Sequence, residues 1–256
     1  MRSYTVLSAN LKIDYAFTSK NKRFSYRAIG YKELIENLKP DLIGFQEYQE
    51  TMNASLIFLD KQYSAYKVLS GNKLSKQENV IYYNSKRFKL IDKGSFWLSN
   101  NPSIKYSKYF FFEARNVTYL RLFDYLDNKN IFVACTHLDF SNPFIRSLQM
   151  KTINNEISKY IGNDIVIIMG DFNCTSISPE FRSFIKNSPI KLIDAIKDIK
   201  VPSIDFFTLL PKHSGPIDHI LISDNVKIKD CVLHSNKKQD IVFSDHHPIS
   251  CRFTLE

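Results

Sequence analysis

Glycine is scarce in this chain, at 7 of 256 residues. A phosphate-cradling loop needs glycines at fixed spacing, and no G-x-x-x-x-G-K-[ST] occurs here, so a P-loop nucleotidase is not expected despite the strand-like "IVIIMGD". No G-x-S-x-G occurs either, which leaves a serine-hydrolase elbow without a candidate. Cysteine is sparse too. Cys135, Cys174, Cys231 and Cys251 include no C-x-x-C pair, which argues against a zinc ribbon or a thioredoxin-like centre. Three of the four sit in apolar, strand-like stretches and read as reduced core residues of an intracellular protein. Long apolar runs are missing. Nothing approaches the roughly 18 residues that a membrane span needs, and "MRSYTVLSAN" has no apolar segment long enough for a signal peptide. The expectation is a soluble, cytoplasmic chain. There are no repeats, low-complexity tracts or Pro/Gly-rich linkers, so residues 1–256 are read as one domain, and a monomer is expected.

What is present is a large apolar fraction, 44%, and a net charge of +9 from 35 Lys and Arg against 26 Asp and Glu. The first suffices for a substantial core. The second favours anionic partners: nucleic acid, phosphorylated metabolites or an anionic membrane surface. It does not choose among them, and a solvated lysine-rich surface has the same composition.

Runs rich in Val, Ile, Tyr and Phe predict strands near 3–9, 41–46, 64–69, 79–84, 88–97, 116–125, 130–137, 164–170, 217–223, 226–234 and 248–254. Helical spacing predicts helices near 25–38, 51–60, 143–161 and 178–187. In the third, Ile145, Leu148, Ile153, Ile157 and Tyr160 share a face, and Asn142 before Pro143 reads as an N-cap followed by proline at the first helical position. Strands outnumber helices and several are joined by hairpin-length connections. This predicts a largely antiparallel α+β protein, with two packed sheets flanked by helices.

The apolar runs repeatedly end in groups that cost free energy to bury unpaired. Asn10 ends the first strand, and Gln46 and Glu47 end "DLIGFQE". His137 ends "NIFVACTH", and Asp171 and Asn173 close "IVIIMGDFN". Asp218 and His219 open "DHILIS", and Asp245, His246 and His247 follow "IVFS". Singly, each has a bland reading as a turn former or a satisfied core histidine. Together they have the chemistry of phosphoester hydrolysis. Carboxylates and amides suit a hard cation such as Mg²⁺, and histidines beside carboxylates serve as acids or bases near neutral pH. Zinc is disfavoured because no His/Cys set has suitable spacing.

The ordered set "LSAN", "PDLIGFQE", "GSFWLSNNP", "THLDF", "GDFN", "IDHILIS" and "SDHHP" resembles the endonuclease/exonuclease/phosphatase family over residues 3–254. That resemblance implies a four-layer αββα sandwich of the DNase I-like type, with a cleft at the strand ends. It implies a Mg²⁺ site, with Mn²⁺ as a substitute, served by Asn10, Glu47 and Asp245. It also implies that His137 contacts the phosphate and that Asp171 and Asn173 orient the nucleophile and the scissile phosphate. His246 is then the general acid or base, with its ring held by Asp218. His247 and His219 are read as structural. The "THLD" segment resembles the branch with DNase I, neutral sphingomyelinases, deadenylases and nocturnin-like phosphatases, and not the abasic-site endonucleases. Arg115, Arg146 and Glu78 match substrate-side positions of a bacterial group, although a Trp expected before "EAR" is replaced by "SKYFFF".

The expected activity is phosphodiester hydrolysis, with a nuclease favoured by the charge. The alternatives are a phosphatase or phosphodiesterase for lipid or small phosphorylated substrates and a non-catalytic phosphate-binding module. No stretch reads as the exposed apolar loop of a lipid enzyme. "KYSKYFFF" (105–112) could stack single-stranded nucleic acid, but is read first as a hydrophobic strand with solvated lysines.

Overall fold

The computed structural model describes residues 2–68, 78–160, 162, 164–205 and 215–256. Its core is a pair of six-stranded sheets. The first holds β1 (Ser3–Asn10), β2 (Leu42–Tyr48), β3 (Tyr63–Lys67), β4 (Glu78–Asn84), β11 (Val226–Leu233) and β14 (Ile249–Leu255), in the order β11-β14-β1-β2-β4-β3. The second holds β5 (Phe88–Trp97), β6 (Asn116–Asp124), β7 (Lys129–His137), β8 (Ile165–Asp171), β9 (Leu192–Asp194) and β10 (Asp218–Ser223), in the order β5-β6-β7-β8-β10-β9. Neighbours are antiparallel except β1 with β2 and β7 with β8. A small hairpin pairs β12 (Lys237–Lys238) with β13 (Ile241–Val242).

The period-2 alternation of each strand sorts its side chains between layers. In β8, Ile165, Ile167 and Met169 enter the core between the sheets, while Val166 and Ile168 face α2 (Pro143–Ile157) and α3 (Pro179–Lys186). In β1, Tyr4 and Val6 face the same inter-sheet core, and Leu7 and Ala9 face α1 (Phe24–Leu38) and a 3-10 helix over Glu50–Lys61. The result is the helix–sheet–sheet–helix sandwich expected from the sequence. No helix among the described residues is long and apolar enough to cross a membrane.

The helix caps follow the expectation at 142–143: Asn142 accepts from the N–H groups of Phe144 and Ile145, and Pro143 opens α2. The helix ends at Ile157 and not at 161, because Lys159 and Tyr160 switch to i→i−3 bonds with Glu156 and Ile157. The 51–60 segment is wound as a 3-10 helix. The larger departure is 105–112. It is a loop, not a strand, with Tyr106 and Phe110 in the left-handed region at φ 64° and 53°.

Candidate active site

Asp171 ends β8, and the register sets its neighbours. In the parallel pair with β7 it lies beside His137, and in the antiparallel pair with β10 it lies opposite Asp218. Each of the three continues the row of its strand that faces the other sheet, past Cys135, Met169 and Ile220. Asn10 does the same for β1 from the facing sheet. The site is therefore the polar end of the rows that build the inter-sheet core.

Glu47 reaches this place by a different route. The β2–β4 register shifts between Phe45 and Tyr48, and Glu47 takes φ 56°. The bulge breaks the alternation and re-aims the side chain. Glu47 Oε1 then accepts from Asn10 Nδ2 at 3.1 Å, and its Oε2 accepts from the Ile13 N–H at 2.8 Å.

The groups converge on one oxygen. Asp171 Oδ2 accepts from Asn10 Nδ2 at 3.1 Å and faces His137 Nε2 at 3.5 Å and His246 Nε2 at 3.6 Å. Asp171 Oδ1 accepts from the Asn173 N–H at 2.9 Å, and Asn173 is itself left-handed at φ 51°, with Nδ2 donating to the Leu138 carbonyl. His246 Nδ1 lies 2.8 Å from Asp218 Oδ2, which fixes the ring and leaves Nε2 turned toward Asp171. Asp245, next in the chain, pairs with Lys12 Nζ at 2.9 Å.

Burial sets the electrostatics. It pushes the Asp171 carboxyl up to about 7, with Asp218 acting the same way against the opposing pull of His246. Burial also opposes charge on His246, but Asp218 and then Asp171 overcome it and raise the imidazole to about 10. His137 goes the other way: burial, then the positive charges of Arg115 and His246, hold it well below the ordinary histidine range. The site thus pairs a charged His246 with a neutral His137.

The donor chemistry fits a hard divalent cation. Burial raises the Tyr15 and Tyr31 phenols, the charges of Glu47 and Asp245 both add to it, and Asn10 brings an amide to Glu47. Asp171, Asp218 and His246 also place ligand atoms within 4.8 Å of one another. Asp218 Oδ2 accepts from Ser203 Oγ at 2.6 Å and lies 2.8 Å from His246 Nδ1, whereas Asp218 Oδ1 is buried without a hydrogen-bond partner among the described residues. Glu47 and Asp245, with the Asn10 amide, offer the oxygen ligands that a hard cation takes, and Asp171, Asp218 and His246 offer a second such set.

The sequence-based candidates do not all gather here. Arg115 is buried at the start of β6, paired with Glu113 at 2.9 Å, and close enough to act on His137. Arg146 ties α2 to α3 through Glu180 at 2.9 Å and donates to the carbonyls of Asp139 and Phe140. Glu78 pairs through its backbone with Tyr48, and its side chain lies outside the described residues. His219 is a packing residue between Asp194 and the Cys174 carbonyl, and His247 bonds to Asp205.

Sequence reasoning missed Ser203, Ser244 and Lys12. Ser244 Oγ donates to the Asn10 carbonyl at 2.7 Å and accepts from the His246 N–H at 3.1 Å. Its place before "DHH" was the available signal; Ser203 had none. Reasoning also missed an apolar rim. Phe17 is 100% and Phe111 84% exposed, and Phe110, Phe140 and Ile177 are also exposed. They lie on the loops that leave β1, β5, β7 and β8 at the site end, so exposed apolar loops are present where none was expected.

A family model described as "Endonuclease/Exonuclease/phosphatase family" matches residues 19–246. No curated protein matches the chain. Among solved structures, an endonuclease/exonuclease/phosphatase from Bacteroides vulgatus superposes with TM-score 0.86 at 22% identity, covering 100% of both chains. The mannosyl-6-phosphatase Bt3783 of Bacteroides thetaiotaomicron VPI-5482 gives 0.83 at 19%, covering 98% of this chain and 100% of that one. D. rerio TDP2 complexed with a single-strand DNA product gives 0.73 at 18%, covering 98% and 99%.

Proposed function

The chain belongs to the endonuclease/exonuclease/phosphatase family, and on that premise we propose that residues 1–256 act as one metal-dependent phosphodiester hydrolase domain. The observation that carries this reading is the convergence of Asn10, His137 and His246 on a single oxygen of Asp171.

Glu47 and Asp245 would hold a divalent cation such as Mg²⁺, with Asn10 ordering Glu47, and when bound it would neutralise charge on the phosphoryl oxygens. The remaining roles belong to the chain. Asp171, fixed through Oδ1 by the Asn173 N–H, orients the attacking water and takes up its proton; a carboxyl held near 7 is suited to that. His246, kept charged by Asp218, donates to the phosphoryl group or to the leaving oxygen. His137, neutral and buried, and Arg115 beside it position the phosphate.

Nucleic acid is the first substrate reading, motivated by the charge of +9 and by the DNA product held by one structural neighbour. A lipid or small phosphoester is the second, and the rim of exposed Phe17, Phe110 and Phe111 favours it. Hydrolysis assays with Mg²⁺ or Mn²⁺ on single- and double-stranded DNA, RNA, a chromogenic phosphodiester, sphingomyelin vesicles and sugar and inositol phosphates separate the two. The expected result is cleavage abolished by EDTA and lowered roughly 10²–10⁴-fold in His246→Ala. Cleavage that survives both treatments would place the chemistry elsewhere, and inertness on every substrate would favour a phosphate-binding module.

A further inference from the structure

A second arrangement lies on β11 and β14, where Cys251 pairs with Val6, four residues along β1 from Asn10. β11 is the edge strand of its sheet, paired only with β14 among the described strands. Val226 and Ile228 alternate into the inter-sheet core. The register then shifts between Ile228 and Asp230. That bulge resets the alternation: Asp230 turns outward, where it meets Arg252, and Cys231 and Leu233 turn inward. Without the extra residue, Cys231 would point to solvent.

The inward Cys231 lies directly opposite Cys251, which sits in the core row of β14 between Ile249 and Phe253. Opposite residues of an antiparallel pair have Cα atoms about 4.5–5.5 Å apart and side chains on one face. A disulfide needs about 4.4–6.8 Å, so either kind of opposite pair satisfies it. The neighbouring Cys231, and then burial, suppress deprotonation of Cys251. Cys231 is half-buried at the sheet margin, whereas Cys135, Cys174 and Cys251 are buried.

We propose that Cys231 and Cys251 are a disulfide-forming pair, and that their bridge pins the base of the segment carrying Asp245 and His246. That segment leaves β11 and returns on β14, so the bridge closes a loop around it. The oxidant is a low-molecular-weight disulfide such as glutathione disulfide. The Cys231 sulfur attacks one of its sulfurs, the glutathione S–S bond breaks, and one glutathione leaves with the Cys231 proton. The Cys251 sulfur then attacks Cys231 Sγ and releases the second glutathione with its own proton. Two thiols and one disulfide become one protein disulfide and two thiols.

The test uses the whole native protein, incubated with glutathione disulfide, alkylated after denaturation and mapped without reduction. We expect one cross-linked peptide joining Cys231 to Cys251, alkylated Cys135 and Cys174, and a thermal midpoint higher by roughly 5–10 °C, as closure of a loop of about 20 residues implies. Dithiothreitol should reverse the rise, and Cys231→Ser should lack both effects. Glutathione that stays on Cys231, four alkylated cysteines, or a cross-link to Cys135 or Cys174 would overturn the pairing. A bridge with no change in midpoint would overturn the pinning. None of these readouts depends on hydrolysis, so they stand apart from the proposed activity.

Discussion

His246 can turn Nε2 toward Asp171 only while Asp218 holds its other nitrogen, and Asp218 is itself held by one hydroxyl. Ser203 is fully buried. Its Oγ accepts from the backbone N–H groups of Ile217 and Asp218 and donates to Asp218 Oδ2. The two incoming N–H groups leave the hydroxyl proton only one direction, toward the carboxylate. Removing the hydroxyl leaves two buried N–H groups without a partner and Asp218 Oδ2 held by His246 alone, a cost of about 1–3 kcal/mol. Ser203→Ala is therefore expected to lower kcat roughly 10-fold or more, with KM little changed, because it frees the ring that Asp218 orients and touches no substrate. Steady-state kinetics beside a thermal melt check this. A lowered melting point with unchanged kcat would make Ser203 a packing residue only.

At the scale of elements, the site depends on how closely β7 and β8 approach. Gly170 takes φ 151°, and a Cβ there would meet the Thr136 carbonyl oxygen at 1.9 Å. That oxygen belongs to backbone and cannot step aside without moving the strand that ends in His137. Gly170→Ala is expected to cost about 2–5 kcal/mol from overpacking and backbone strain together. Denaturant unfolding measures it, and a loss under about 1 kcal/mol would show that the strands can separate. The same strand explains what was legible. "IVIIMGDFN" reads as buried on both faces followed by a polar end, and both features come from local pattern. The N-cap at Asn142 and the polar ends of β1, β7 and β10 were legible for the same reason. β9 and the β12–β13 hairpin were not, since two or three residues hold no period. Nor was 105–112, where lysine and aromatic residues mimic a strand pattern but left-handed Tyr106 and Phe110 break it. Ser203 comes to Asp218 from a loop, through a contact that only the fold creates. Glu47 was found as a polar strand end, but the bulge that aims it leaves no mark in "GFQEY".

At the scale of the whole molecule, the two substrate readings differ in the force that would bring a ligand to the cleft. The basic excess acts over a Debye length of about 8–10 Å and is screened by salt. The rim of Phe17, Phe110 and Phe111 acts by burying apolar surface, which salt does not weaken. Lysines and arginines flank these residues in sequence: Lys20, Lys22 and Arg23 follow Phe17, and Lys105 and Lys108 precede Phe110. A single strand that engaged about four of these charges would release as many counterions. Its affinity would fall roughly 50-fold between 50 and 200 mM salt. Binding of a labelled single-stranded oligonucleotide, titrated across that range with EDTA present to prevent cleavage, is expected to show this slope. A flat salt response would count against nucleic acid. If Phe110→Ser with Phe111→Ser then reduced sedimentation with anionic vesicles, the rim would be a lipid-facing surface and the substrate a phosphoester presented there.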